Sequence, residues 1–307
     1  MSLTEPSEFW KRLAAEHRDD LDEYGLQHFK CHQALRYFSW QWSWRHLRRS
    51  EQFRFLLRNT TPSAFLRSIA GPAHLTDPAW RQTSWSVVDR WLYCFAVRLL
   101  WSYAAARDSS GVIALPEPSL GGPFPVHLGG RLISQDLANT ALEVSCLRDV
   151  LGDRTPVSFL EVGAGYGRTA YALLNIYPAA TYTIVDIEPA IDISRWYLSQ
   201  LFPPGRLRFL SPADADLLPP GSTDVALSIS SLQEMTPQQV ADYLRLFDRV
   251  AAGGTVFLKQ WEEWTNPVDA VTMRLDDYPI PERWTNVLRA RAPVQTRFVQ
   301  AAWSVPA

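Results

Sequence analysis

Ser158-Phe159-Leu160-Glu161-Val162-Gly163-Ala164-Gly165-Tyr166-Gly167-Arg168-Thr169-Ala170 reads as a buried strand, a tight glycine turn and the start of a helix. Phe159, Leu160 and Val162 suit a parallel strand covered on both faces. Gly163, Gly165 and Gly167 allow a sharp turn and a close approach of backbone to a ligand. From Thr169 to Ile176 the pattern is helical, and the open N–H groups of its first turn point back at the glycines. The spacing is G-x-G-x-G with Glu161 two residues ahead, whereas a dinucleotide fingerprint wants G-x-G-x-x-G. The ligand contacts expected of this turn are Glu161, Gly163, Ala164, Gly165 and Tyr166. The alternative is a strand-to-helix turn in another nucleotide-binding sheet.

Downstream, strands alternate with helices, the pattern of a parallel sheet with crossover helices. The spacing predicts strands at Val157–Val162, Thr181–Ile187, Leu207–Leu210, Asp224–Ser230 and Thr255–Gln260. Pro189 opens a helix to Leu201, and Thr236-Pro237 opens another to Val250, stopped by Gly253-Gly254. The segments 283–291 and 296–305 alternate well enough for a terminal antiparallel hairpin. Upstream, the first hundred residues read as helices: Ser7 to about Asp19, Asp20–Phe38, Ser43–Arg58, Thr61-Pro62 to Gly71, and Asp77-Pro78 to about Arg107. Trp91, Phe95 and Leu99 form a buried stripe in the last of these. Residues 108–130 read as a linker by their Pro and Gly content, and Ser134 caps a helix to Leu151. The expected division is a helical N-terminal region over 1–126, for self-association or for covering the acceptor, and a catalytic domain over 127–307.

With 307 residues, 47% of them hydrophobic, the chain can bury a large core, and a net charge of −2 argues against nucleic acid as a partner. Arg45, His46, Arg48 and Arg49 lie among tryptophans; a solvated helix face over an aromatic core is the favoured account, ahead of a stacking and phosphate surface for nucleic acid. Cys31, Cys94 and Cys146 form no C-x-x-C pair, which fits a reducing cytoplasm. No signal peptide opens the sequence, and the apolar run 87–106 carries Asp89, Arg90 and Arg98, too polar for a bilayer.

Ligands of open α/β sheets bind outside the carboxyl ends of the strands. Asp186 closes its strand 25 residues after Glu161 and can accept bonds from both hydroxyls of a ribose. Asp214, with Asp216 as a rival, follows the next strand. Ser231-Leu232-Gln233-Glu234-Met235 follows the fourth, where Glu234 is a candidate general base and Gln233 an orienting amide; the alternative puts Glu234 at a helix start, favouring its dipole. Trp261 and Trp264 follow the fifth strand and suit packing against a ring or, equally, covering the sheet edge. His127, before Gly129-Gly130, is the second candidate base, or a plain loop residue. No H-x-x-x-H or carboxylate cluster has metal-ligand spacing, so no metal ligand is assigned and a metal requirement stays open.

The acidic-x-G-x-G-x-G pattern resembles motif I of class I S-adenosylmethionine-dependent methyltransferases. Further pieces resemble the bacterial sugar O-methyltransferase family: Gly129-Gly130-Arg131-Leu132-Ile133-Ser134-Gln135-Asp136-Leu137, the glycine turn, Tyr182-Thr183-Ile184-Val185-Asp186, Tyr197-Leu198-Ser199-Gln200-Leu201-Phe202 and Ser231-Leu232-Gln233-Glu234-Met235. The resemblance covers about residues 127–307. It implies a Rossmann-like α/β class I methyltransferase sheet, parallel with a C-terminal antiparallel hairpin, preceded by an all-helical N-terminal region. It implies S-adenosyl-L-methionine as methyl donor, held by Glu161, Gly163, Ala164, Gly165, Tyr166, Asp186, Asp214, Gln135, Ser231 and Gln233. It implies a sugar hydroxyl as acceptor, such as a mannoside precursor of a polymethylated polysaccharide, with Glu234 or His127 as base and Trp261 and Tyr166 on the substrate side. A cytoplasmic homodimer is expected. The rivals are a nicotinamide oxidoreductase, a methyltransferase of small aromatic or peptide acceptors, and a non-catalytic cofactor-binding scaffold.

Overall fold

The computed structural model describes residues 7–31, 42, 50–71, 80, 85–268 and 270–307. The chain forms two compact units, Met1–Arg18 with Val150–Ala307, and Asp19–Asp149. It passes between them within helices α1 (Glu8–Tyr24) and α5 (Gln135–Leu151). This differs from the expected boundary at 126/127.

The helical unit contains α2 (Glu51–Asn59), α3 (Pro62–Ala70), α4 (Val87–Ala105), strands β1 (Val126–Leu128) and β2 (Arg131–Ile133), and most of α5. Polar side chains cap its helix starts, Ser50 before α2 and Ser134 before α5 among them. Thr61 Oγ1 accepts from Ala64 N–H before α3, and Ser86 with Asp89 closes a capping box at α4. From Tyr93 to Trp101 every residue of α4 is buried, the mark of a central helix covered all round. Phe53 of α2 and Phe65 of α3 meet Phe95 edge-on at 6.1 and 5.4 Å. Trp91 is a correction to the expected stripe: it is 38% exposed and stacks on Phe95, so of the three stripe residues only Phe95 and Leu99 are buried.

Residues 108–130 pack into this unit and do not link domains. Asp108 accepts from the N–H groups of Ser110, Gly111 and Ile113 and from the Ser145 hydroxyl of α5. Phe124 stacks on Trp85 at 5.3 Å, and the Lys30–Glu117 pair is buried at 2.8 Å. The fully buried Arg98 donates to the carbonyls of His127 at 2.8 Å and Gly71 at 3.0 Å. These bonds place the β1–β2 hairpin on α4, which is why the division falls later than composition suggested.

Two other expectations change. No break occurs between Asp19 and Asp20, where nothing interrupts the periodicity; α1 runs through to Tyr24 and stops at Gly25, whose φ is 75°. The helices expected over 20–38, 43–58 and 77–107 lie partly outside the described residues, as do Arg45, His46, Arg48 and Arg49. The described part of the last is α4, beginning at Val87.

The sheet unit carries β3 (Ser158–Val162), α6 (Arg168–Ile176), β4 (Thr181–Val185), α7 (Ala190–Ser199), β5 (Leu207–Leu210), β6 (Val225–Ile229), α8 (Pro237–Val250), β7 (Thr255–Trp261), the short hairpin β8 (Glu263–Thr265) and β9 (Thr272–Arg274), and then β10 (Thr285–Arg291) and β11 (Phe298–Ser304). One seven-stranded sheet has the order β10-β11-β7-β6-β3-β4-β5. β3, β4, β5, β6 and β7 all run parallel, and β11 runs opposite to both its neighbours, β7 and β10. The chain winds outward from β3 to β5, then returns to the other side of β3 as β6. That reversal opens a crevice at the carboxyl ends of β3 and β6.

One face of the sheet (Leu160, Val162, Ala226, Val256, Leu258) packs on Tyr243, Leu244, Phe247 and Val250 of α8 in a single core. Each such aliphatic side chain contributes about 1.5–3 kcal/mol on burial. β10, the edge strand, is exposed along nearly its whole length and carries Arg289 and Arg291, paired with Asp276 and Glu262.

The entry to β3 is fixed by one carboxylate. Asp224 Oδ2 accepts from the N–H groups of Val157 and Ser158 at 2.7 and 2.9 Å and from the Ser158 hydroxyl at 2.9 Å. Asp224→Ala strands those donors at the start of the central strand, and urea unfolding is expected to show a loss of about 1–3 kcal/mol.

Candidate functional site

The glycine turn sits at the switch point. Gly163, Gly165 and Gly167 have φ of 74°, 58° and 88°, a region L side chains rarely adopt. A Cβ on Gly163 would lie 2.0 Å from Ser231 Oγ, so the lack of a side chain lets the loop after β6 touch the end of β3. A Cβ on Gly167 would meet Leu198 of α7 at 2.6 Å.

Asp186, just past β4, faces this turn. Its Oδ2 accepts from Gly165 N–H at 3.2 Å and its Oδ1 from Ile187 N–H at 2.8 Å. Burial pushes its carboxyl up to about 7, against backbone N–H groups of Ile187, Gly165 and Ala164 that favour the ionised form. Beside it opens a cleft of about 580 Å³, in the range of small-molecule sites. Ile187, Phe209 and Asp214 line it from the sheet side. Asp214 is exposed and accepts from Ser211 Oγ at 2.6 Å. Its rival Asp216 lies 3.9 Å from Arg249 and does not line the cleft.

Glu161 is 1% exposed, and its Oε2 accepts from the Tyr182 hydroxyl at 2.8 Å. Tyr166 is 2% exposed and edge-on to Tyr197 at 5.1 Å. That packing buries the ring beside α7.

The loop after β6 is braced from β7. Ser230 takes a left-handed φ of 58°, with its N–H on the Lys259 carbonyl at 2.8 Å. Gln260, fully buried, accepts from Ser231 N–H and donates to the Ser228 carbonyl. Gln233 donates to Ser230 Oγ at 3.2 Å. Glu234 ends the turn Leu232–Glu234 at 8% exposure; burial first, and then the charge of Glu234, raise the pKa of the Tyr278 hydroxyl. Trp261 lies edge-on to Phe298 at 5.4 Å with the Arg297 guanidinium over its ring. Gln260 and Ser230 carried no motif at the sequence level; their part depends on strand register.

His127 and Gln135 belong to the helical unit. His127 lies in β1 opposite Leu132. Gln135 is buried, and its Oε1 accepts from Trp42 N–H at 3.0 Å. Among the described residues no group of three His, Cys, Asp or Glu is placed to hold a metal ion, and no helix is long and apolar enough to cross a membrane.

The strand order, with an antiparallel strand inserted before the edge, is that of the class I methyltransferase fold. No family model matches the chain. Over 145 residues it is 28% identical to a malonyl-[acyl-carrier protein] O-methyltransferase of a Paenibacillus species, covering 45% of this chain and 50% of that one. The chain thus spans about half the length of this curated relative. Among solved structures it is similar to a 1,6-didemethyltoxoflavin-N1-methyltransferase of Burkholderia thailandensis, 20% identical over 55% of this chain and 79% of that one, TM-score 0.43. It is also similar to a geranyl diphosphate C-methyltransferase of Streptomyces coelicolor, 12% identical over 52% and 78%, TM-score 0.42.

An Asp in an unfolded chain titrates near ~4. Between about pH 4 and 7 the folded protein therefore keeps a proton on Asp186 that the unfolded chain has lost. This favours folding most at low pH, and the advantage disappears as pH rises through about 7. Asp186→Asn removes the effect, so its urea midpoint should fall less than the wild type's between about pH 5 and 8. Parallel curves would mean that Asp186 is ionised throughout.

Proposed function

We propose that the protein is an S-adenosylmethionine-dependent O-methyltransferase whose donor lies across the carboxyl ends of β3, β4 and β5. The observation that carries this reading is the buried Asp186 carboxylate, bonded to the glycine turn and bordering a cleft with a second acid, Asp214, at the end of the next strand. S-adenosylmethionine is the methyl donor; when bound it supplies an electrophilic methyl group. The donor set fits it. Asp186 accepts from the ribose hydroxyls and Asp214 from the adenine amino group. The backbone of Gly163, Ala164 and Gly165, with Ser231 and Gln233 across the crevice, borders the methionine end. Glu161, sealed under Tyr182, fixes the shape of the turn.

Because the donor is already activated, positioning supplies much of the rate. An acceptor hydroxyl is a weak nucleophile and has to lose its proton, so a base within hydrogen-bond reach is needed. Glu234 takes that proton in this reading, with His127 as the second candidate and Trp261 beside the acceptor. The acceptor is a sugar hydroxyl, on the family resemblance of the Gln233-Glu234-Met235 loop. The helical unit serves the acceptor side or self-association. A second reading comes from the Paenibacillus relative, which acts on malonyl-[acyl-carrier protein]. A malonyl thioester offers a carboxylate, which is already ionised and needs no base.

The test uses methyl-labelled S-adenosylmethionine with mono- and oligosaccharides, partly methylated mannosides and a malonyl thioester, each with and without a chelator. Label in a sugar is expected. Glu234→Gln should then lower turnover by about 100-fold or more, the scale of a lost general base, with S-adenosylhomocysteine affinity unchanged. Label in the malonyl thioester, with Glu234→Gln fully active, would establish the second reading.

A further inference from the structure

One face of α1 borders the cleft beside Asp186. Trp10, Ala14 and Arg18 follow one another at one-turn intervals, with Ala15 next to them. Trp10 is half-buried, and the two alanines behind it leave room for a flat group. The facing wall holds Phe209 and Asp214. Phe209 already carries the Arg195 guanidinium at 5.4 Å from its ring centroid.

Both ends of this stretch are tied to the sheet unit. At the start, Ser7 Oγ donates to the Glu234 carbonyl at 3.4 Å, and the Phe9 ring meets Trp264 edge-on at 5.6 Å. At the other end Arg18 pairs with Glu188 at 2.9 Å, with both side chains more than half exposed. Such a pair adds little stability by itself. Helix and sheet therefore enclose a cavity rather than a closed apolar interface, and a ligand between them would add contacts to both.

We propose that α1 is the second wall of the donor subsite and that the Trp10 indole is the platform on which the adenine ring lies. This rests on the donor assigned above. A nucleobase has a flat, poorly hydrated face that stacks on aromatic side chains, while Asp214 receives its amino edge. The same helix holds the Glu234 carbonyl through Ser7. Occupancy of the donor cleft therefore adds contacts to a helix whose leading residue, Ser7, already touches the loop after β6.

The test measures binding of S-adenosylhomocysteine and of 5′-methylthioadenosine, which keeps the adenine but lacks the amino acid end. Trp10→Ala is expected to weaken both to the same degree, by about tenfold, the scale of one lost base–aromatic stack. Trp10→Phe, which keeps a ring, should stay within about threefold of wild type. Hydrogen exchange on the wild-type protein should slow over residues 8–18 when S-adenosylhomocysteine is added, a readout that stands even if Trp10→Ala does not fold. Unchanged affinity of Trp10→Ala for both ligands, or unchanged exchange over 8–18 in a protein that binds S-adenosylhomocysteine, overturns the proposal. A wild-type protein that binds neither ligand overturns the donor reading and takes this proposal with it.

Discussion

Two backbone hydrogen bonds to the Asp186 carboxylate, from Gly165 and Ile187, hold the site to the sheet. A carboxylate taken out of water needs donors, and the N–H of a residue in regular secondary structure is already engaged. The left-handed turn frees Gly165 N–H to point at the neighbouring strand end. The turn in turn requires that Gly163 have no side chain, because Ser231 occupies that space from the other side of the crevice. Strand order, glycine conformation and the buried acid are thus one constraint seen from three directions. The sheet reverses its winding at β3, the reversal leaves a gap, and the gap is small enough for one loop to touch the next.

Most of the sheet unit was legible in the sequence because its signals are local. The strand-turn-helix at 158–176, the Thr236-Pro237 helix start and the alternation before the C-terminus each state a backbone conformation in a few residues. Asp186 was legible for the same reason, since it stands at a strand end at a fixed distance from the glycines. Position alone puts Asp214 ahead of Asp216; the structure adds that Asp214 lines the cleft and Asp216 lies beside Arg249. Gln260 and Ser230 were not legible. Their roles come from register between β6 and β7, a relation between segments about thirty residues apart. Trp10 was hidden for a similar reason: it looked like one tryptophan among many in a helical region, yet its helix begins within the sheet unit.

The helical unit was the harder reading, and its errors share a cause. Composition marked 108–130 as a linker because Pro and Gly are common in loops. A segment with few apolar residues can still be held by polar bonds, as Asp108 holds its own loop and Arg98 holds the hairpin that follows. Likewise the periodicity through Trp91 was real, but periodicity gives the face of a helix and not how far along it the covering reaches. α2 and α3 meet that face at Phe95 and beyond, and Trp91 is left half in water, stacked on its neighbour.

The exposed β10 has a consequence outside the site. A strand with a free edge and few buried side chains is a template on which other chains can add strands, and such addition is how many sheet proteins precipitate. Here the edge carries Arg289 and Arg291, each tied by an acid from the segment between β7 and β10. An incoming strand would have to break those pairs and lay its own backbone beside two cations. At the opposite edge β5 is only 4 residues long, too short to recruit much. Both edges of the sheet are thus poor templates for an added strand.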